Sequence, residues 1–87
     1  MTYFVYMLTS ISENRKKSYV GYTNDLSERL NKHNSNKGAK STKGYKWKII
    51  FKKKFLLKSN AMSYEYKLKK NRKKRLIIIE NSKFKLC

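Results

Sequence analysis

An 87-residue chain holding 23 Lys and Arg against five Asp and Glu carries a formal charge of +18, far beyond the roughly 2–8 that suits solubility in a small domain. The length excludes a second domain that could carry function separately. Self-repulsion on this scale calls for a polyanionic partner, with nucleic acid first because phosphates suit the lysines and bases suit an aromatic content of 14%. The single cysteine, Cys87, excludes an intrachain disulfide or thiolate metal site, no run approaches the ~20 apolar residues of a membrane span, and a cytoplasmic protein is expected.

In chain order, Tyr3 to Thr9 and Tyr19 to Tyr22 are rich in β-branched and aromatic residues, and polar Ser10 to Lys17 separates them, which predicts a β-hairpin with a long loop. Thr23-Asn24-Asp25 supplies helix-start residues, and Glu28 follows Asp25 at capping-box spacing. A helix is predicted from about Leu26 to about Asn34, ending before Gly38. Leu26, Arg29, Leu30 and His33 share one face of it, so Arg29 and His33 are neighbours beside the buried edge.

Residues 34–45 turn to Asn, Ser, Gly, Lys and Thr and read as a loop. Trp47, Ile49 and Phe51 alternate with Lys48, Ile50 and Lys52, predicting a third strand that extends toward Phe55. Ser59 or Asn60 is expected to cap a second helix in which Ala61, Glu65 and Leu68 share a face. Asn71 reads as a helix cap, and basic Arg72 to Arg75 leads into Leu76-Ile77-Ile78-Ile79, a third helix closing the core, with 76–87 as C-terminal helix and tail. The expected fold is α+β, a small three-stranded antiparallel sheet flanked by helices in the order β-β-α-β-α-α, in one domain over 1–87 without internal repeats.

Five acids leave few candidates for a carboxylate base or metal ligand. Glu13 falls in the hairpin loop, Asp25 and Glu28 are explained by capping, and Glu80 is near the tail. Glu65 remains, on an inward helix face where an unpaired carboxylate is costly. A lysine would satisfy it, and so would Mg²⁺, which binds through one carboxylate plus waters and substrate phosphate. Tyr6 and Tyr19 are either core residues with wetted hydroxyls or phenols whose ionisation the surrounding positive charge favours. Gly21 marks either a bulge or a place where a phosphate backbone approaches closely. Arg29 can offer its planar fork to a pentacoordinate phosphorus, or make a surface phosphate contact or a pair with Asp25. His33 is as readily a packed imidazole as a functional one.

The Val5-Tyr6 strand, the Tyr19-Val20-Gly21 strand, Arg29 on the next helix and Glu65 on a later one resemble the GIY-YIG nuclease superfamily. Within it, Tyr22-Thr23-Asn24-Asp25-Leu26 through Arg29 and His33, then Gly38-Ala39-Lys40 and Ala61 to Glu65, are similar to the small stand-alone UPF0213-type proteins, relatives of the nuclease subunit of structure-specific resolvases. The likeness covers about Tyr3 to Arg75. Phe4-Val5-Tyr6 stands where the family has Gly-Ile-Tyr, and Val20 replaces the second isoleucine; both tyrosines are kept.

The resemblance implies a metal-dependent nuclease that hydrolyses DNA phosphodiesters, with RNA compatible, acting as an endonuclease rather than an exonuclease. Tyr6 would be the general base or water-orienting phenol, Tyr19 its positioning partner and Arg29 the transition-state stabiliser. Glu65 would be the sole protein ligand of one Mg²⁺ (or Mn²⁺). His33 and Lys40 match positions typical of the stand-alone group, suited to phosphate contact or proton transfer, and Gly21, Lys43, Lys69 and Arg72 join Lys40 in contacting nucleic acid. The chain shows no appended targeting module, so selectivity for single strands, flaps or branches is expected before sequence specificity, with a protein partner supplying any finer choice. The alternative is a non-catalytic nucleic-acid-binding protein on the same fold. A membrane-surface role for Lys67 to Ile79 ranks below both, because the basic residues spread over the whole chain.

Overall fold

The sheet has the strand order β2-β1-β3, so that β1 (Tyr3–Ser10) lies between β2 (Ser18–Thr23) and β3 (Trp47–Phe55), antiparallel to both. The computed structural model describes residues 2–10, 17–35, 37 and 46–85, with side chains as far as Asn81. Helix α1 (Leu26–Asn34) follows β2, and α2 (Lys58–Lys70) and α3 (Arg72–Lys85) follow β3. The expected α+β order is borne out. The hairpin loop around Glu13, the turn at Gly38, and Lys40 and Lys43 lie outside the described residues.

The central position of β1 follows from its sequence. Val5, Tyr6, Met7 and Leu8 are all buried, and a continuous apolar run in a strand signals cover on both faces. On one face Val5, Met7 and Val20 pack on Ala61 and Leu68 of α2, with Phe51, Phe55, Tyr64, Ile78 and Ile79 at the margin. On the other, Tyr6, Leu8 and Trp47 pack with Tyr19, Ile49 and the Leu26 and Leu30 side chains of α1. Each such side chain contributes about 1.5–3 kcal/mol when fully buried, so both helical layers are held by apolar stripes that the periodicity foretells.

One feature of β3 departs from the predicted alternation. Met7 pairs with Phe51 but Leu8 pairs with Ile49, an irregularity that skips Ile50. Residues directly opposite in an antiparallel pair share a face, and a bulge exchanges the faces beyond it. Trp47 and Ile49 therefore stay with Tyr6 and Leu8, whereas Phe51, expected on the same face as them, joins Val5 and Met7. Beyond the bulge Lys52 lies opposite Tyr6 and Lys54 opposite Phe4, while Lys53 falls on the α2 face. There its ammonium sits 4.9 Å from the Tyr64 ring centroid, a favourable cation–π geometry.

Helix α1 starts as its sequence requires. Asp25 accepts a hydrogen bond from the Glu28 N–H at 3.1 Å, and the Thr23 hydroxyl accepts from the Asp25 N–H at 3.1 Å. Glu28 turns instead to Lys32, 3.1 Å away. At the other end the Asn34 side chain clamps the start of β3: its Oδ1 accepts from the Trp47 N–H at 2.6 Å and its Nδ2 donates to the Trp47 carbonyl at 3.2 Å.

Two helix starts differ from expectation. Ser59 and Asn60 lie inside α2, whose N-cap is Leu57 without a side-chain hydrogen bond. The extended backbone running out of β3 already aims the Leu57 carbonyl at the Ala61 N–H, 3.2 Å away, so the first turn is set by the strand and not by a polar cap. Helix α3 begins at Arg72 and not at Leu76, while Asn71 fills the cap role read for it, its Oδ1 accepting from the Lys74 N–H at 3.0 Å. Its apolar run is divided: Ile78 and Ile79 pack on the core, whereas Leu76 and Ile77 are 50% and 55% exposed. No helix among the described residues is long and apolar enough to cross a membrane.

Candidate functional site

On the sheet face that carries α1, β1 presents Tyr6, β2 presents Tyr19 and Gly21, and α1 presents Arg29 and His33. The helical spacing of Arg29 and His33 aims both at one phenol. The Tyr6 hydroxyl lies 2.9 Å from His33 Nε2, and Arg29 Nε donates to the Tyr6 oxygen at 3.3 Å. Tyr6 is 1% exposed and His33 is fully buried. Burial first, and then the Arg29 charge, lowers the imidazole pKa to about 4, so His33 is neutral at physiological pH. A neutral ring accepting at Nε2 is the arrangement that uses the Tyr6 proton, which leaves the phenol donating to His33 and accepting from Arg29.

Burial also decides the state of Tyr6. Its pKa is raised to about 12, with desolvation outweighing the Arg29 hydrogen bond that pulls the other way. The expectation that a strongly positive chain keeps the phenolate accessible is overturned at this atom. The low dielectric around a buried oxygen disfavours the charged form more than one guanidinium favours it. The same contact raises the pKa of Arg29, with Tyr19 as a further hydrogen-bonding partner of the guanidinium.

Gly21 sits directly opposite Tyr6 in the register. A Cβ there would lie 2.6 Å from the Tyr6 hydroxyl and 2.9 Å from Tyr19 Cε2. The room left by the missing side chain is filled by the two tyrosines, not held open for a phosphate backbone. Glycine is what lets the phenols converge, their ring centroids 6.3 Å apart, with Tyr19 a further 4.8 Å from the His33 ring.

Glu65 lies between the buried Ala61 and Leu68 of α2 and keeps 16% of its side chain exposed. Its charge is among the influences that raise the Tyr6 pKa, which puts it within electrostatic reach of the phenol. The cation it requires is present: Lys69 Nζ is 3.2 Å from Glu65 Oε1 and also 5.9 Å from the Tyr19 ring centroid. Lys69 thus ties the carboxylate to the tyrosine cluster. Among the described residues no three of His, Cys, Asp and Glu gather to hold a metal ion. A divalent ion here would have Glu65 as its protein ligand and would take the place that the half-exposed Lys69 ammonium holds beside that carboxylate.

The structure therefore gathers Tyr6, Tyr19, Gly21, Arg29, His33, Glu65 and Lys69. Arg72 stands apart, exposed at the start of α3, which packs mainly on α2 and β3. Lys40 and Lys43 are outside the described residues. Beside the cluster, Arg29 forms one wall of a groove of about 190 Å³ that runs along Thr23, Asp25 and Lys32. Two residues of this region carry no signal in the sequence. Asn34 stands where the predicted helix gives way to a polar stretch and clamps Trp47, and Lys52 reaches the Tyr6 face only through the bulge.

This assembly, two tyrosines on adjacent antiparallel strands with an arginine from the next helix and a glutamate from a later one, has the layout of a GIY-YIG catalytic domain. The family model of that name matches residues 2–77, and the chain belongs to this family of nucleases. Among its relatives are UPF0213 proteins. YsiG of Lactococcus lactis is 43% identical over 86 residues, 95% of this chain and 80% of the relative. YazA of Bacillus subtilis is 46% identical over 67 residues, 75% of this chain and 68% of the relative. OB0043 of Oceanobacillus iheyensis is 48% identical over 52 residues, 59% of this chain and 60% of the relative, so the chain spans less than two thirds of that protein's length. The solution NMR structure of the UPF0213 protein BH0048 from Bacillus halodurans is 32% identical, with a TM-score of 0.48, covering 92% of this chain and 84% of that one.

Proposed function

We propose that this chain is a metal-dependent endonuclease that hydrolyses DNA phosphodiesters, selecting strand or branch structure instead of sequence. The observation that carries the proposal is the Tyr6 hydroxyl, buried and held between the Arg29 guanidinium and the His33 imidazole. A core tyrosine needs one hydrogen-bond partner. This one has a donor on one side and a neutral base on the other.

The proton chemistry follows from that arrangement. A free phenolate is scarce at neutral pH for a group at about 12, so Tyr6 acts as a relay: its oxygen takes a proton from the attacking water while its own proton passes to His33 Nε2. No buried phenolate forms. His33 is depressed first by burial and then by the Arg29 charge; a phosphodiester beside Arg29 offsets the second of these, which makes the imidazole a better acceptor when substrate is in place. Arg29 also offsets charge growing on phosphorus through its planar fork. Tyr19 packs on the His33 ring and orients it. A divalent ion on Glu65 supplies, when bound, a Lewis acid for a phosphate oxygen and the leaving group.

The test is a panel of labelled single-stranded, duplex, flap and branched DNA incubated with Mg²⁺, Mn²⁺ or EDTA. Metal-dependent cutting by the wild-type chain is expected. Tyr6→Phe and Glu65→Gln should each lower cutting by about 10²–10⁴-fold, the range of a lost acid–base or charge-stabilising group, while DNA affinity persists. Tight binding with no cutting of any substrate would leave a non-catalytic binder as the correct reading.

A further inference from the structure

Lys52, Lys53 and Lys54 are three consecutive lysines on β3, and the register separates them. Lys52 lies directly opposite Tyr6 and Lys54 opposite Phe4, whereas Lys53 lies opposite Val5 on the other side of the sheet. All three are exposed. Lys53 is engaged with the Phe55 and Tyr64 rings. Among the described residues neither Lys52 nor Lys54 meets a carboxylate. Helix α1 covers the part of the Tyr6 face that holds Leu8, Ile49 and Trp47. The row from Tyr6 through Lys52 to Lys54 runs the opposite way along the sheet, toward the Tyr3 end of β1.

We infer that Lys52 and Lys54 form a phosphate track that grips the nucleic-acid backbone on one side of the bond held at Tyr6. The inference rests on the nuclease reading of the same site. Ammonium groups two residues apart on a strand repeat at about 6.5 Å, a step comparable to that between neighbouring phosphates of one strand. Arg29 provides the anchor beside Tyr6, and the two lysines extend it across β1 onto β3. Lys69, by contrast, approaches from the side of Tyr19 on β2, so the strand is held on both flanks of the phenols. Point charges on flexible stems suit this role, because they follow the backbone without reading bases.

The alternation supplies its own control. Binding of a fluorescein-labelled oligothymidine strand is measured by anisotropy as a function of salt, in full-length protein carrying Glu65→Gln so that nothing is cut. Thermal melting confirms that each variant is folded. Adding Lys52→Gln and Lys54→Gln together should reduce the log–log salt slope by about 1.4, two single-strand phosphate contacts, so that the affinity lost between 50 and 200 mM salt shrinks about sevenfold. Lys53→Gln should leave the slope where it was. An equal drop for Lys53→Gln, or no drop for the pair, would overturn the track. Binding is read here without cleavage, so a wild-type chain that cuts no DNA would count against the nuclease alone.

Discussion

At the scale of single residues, burial outweighs the neighbouring positive charge at Tyr6 and acts together with it at His33. Tyr6 and His33 are both pushed toward their neutral forms, the phenol to about 12 and the imidazole to about 4, in a chain of formal charge +18. For His33 this carries a sign. The unfolded chain takes up the imidazole proton below the ordinary value of 6.5 and the folded one only near 4, so between those values the unfolded state binds more protons and folding stability falls as pH falls. Denaturant midpoints measured from pH 7 to 4 should drop through that window, and His33→Gln should flatten the profile. If Tyr6 relays its proton to His33, cleavage by the folded chain loses its acceptor only as the pH approaches about 4. The sequence made the neighbours legible: Tyr6, Tyr19 and Arg29 meet on one sheet face, and Glu65 stands within electrostatic reach of Tyr6. It did not make the hydroxyl's condition legible, because that depends on how much solvent α1 excludes. Gly21 by itself suggests a bulge or a space for a phosphate backbone, and only the Tyr6–Gly21 register shows that the space is already taken.

At the scale of elements, local signals are reliable where one segment decides its own shape. The Asp25 cap, the span of α1 and the Asn71 cap are all written in consecutive residues. They fail where a neighbour decides. The bulge at Ile50 comes from fitting two patterns, Met7-Leu8 against Ile49-Ile50-Phe51, and neither strand carries it alone. The start of α2 is imposed by the end of β3. The Asn34 clamp on Trp47 belongs to the same class, because it joins segments separated by a polar stretch that reads as loop. It holds α1, and hence Arg29 and His33, in register with the sheet. Asn34→Ala removes both hydrogen bonds to Trp47, a loss of about 1–3 kcal/mol for the two together. The melting temperature should fall by about 4–8 °C per kcal/mol for a domain of this size. Any nuclease activity should fall further than DNA affinity, since phosphate contacts on the sheet do not need α1.

At the scale of the whole molecule, the two faces of the sheet divide the work. One is a packed layer of α2 and α3 over Val5, Met7 and Val20; the other holds the tyrosine cluster under α1 and then opens toward Lys52 and Lys54. An excess of 18 positive charges makes binding depend on counterion release, with about 10³–10⁵ in affinity lost between 50 and 200 mM salt for six to ten phosphate contacts. Titration of labelled DNA at those two salt concentrations checks it, and an affinity indifferent to salt would contradict it. The lysines of β3 have one more effect. With the strand order β2-β1-β3, β3 borders the sheet, and a border strand offers its outer amides to any similar strand that drifts by. Three ammonium groups in succession repel a second copy of the same strand as its backbone approaches, so the lysines proposed to grip a polyanion also work against two copies of this chain joining edge to edge.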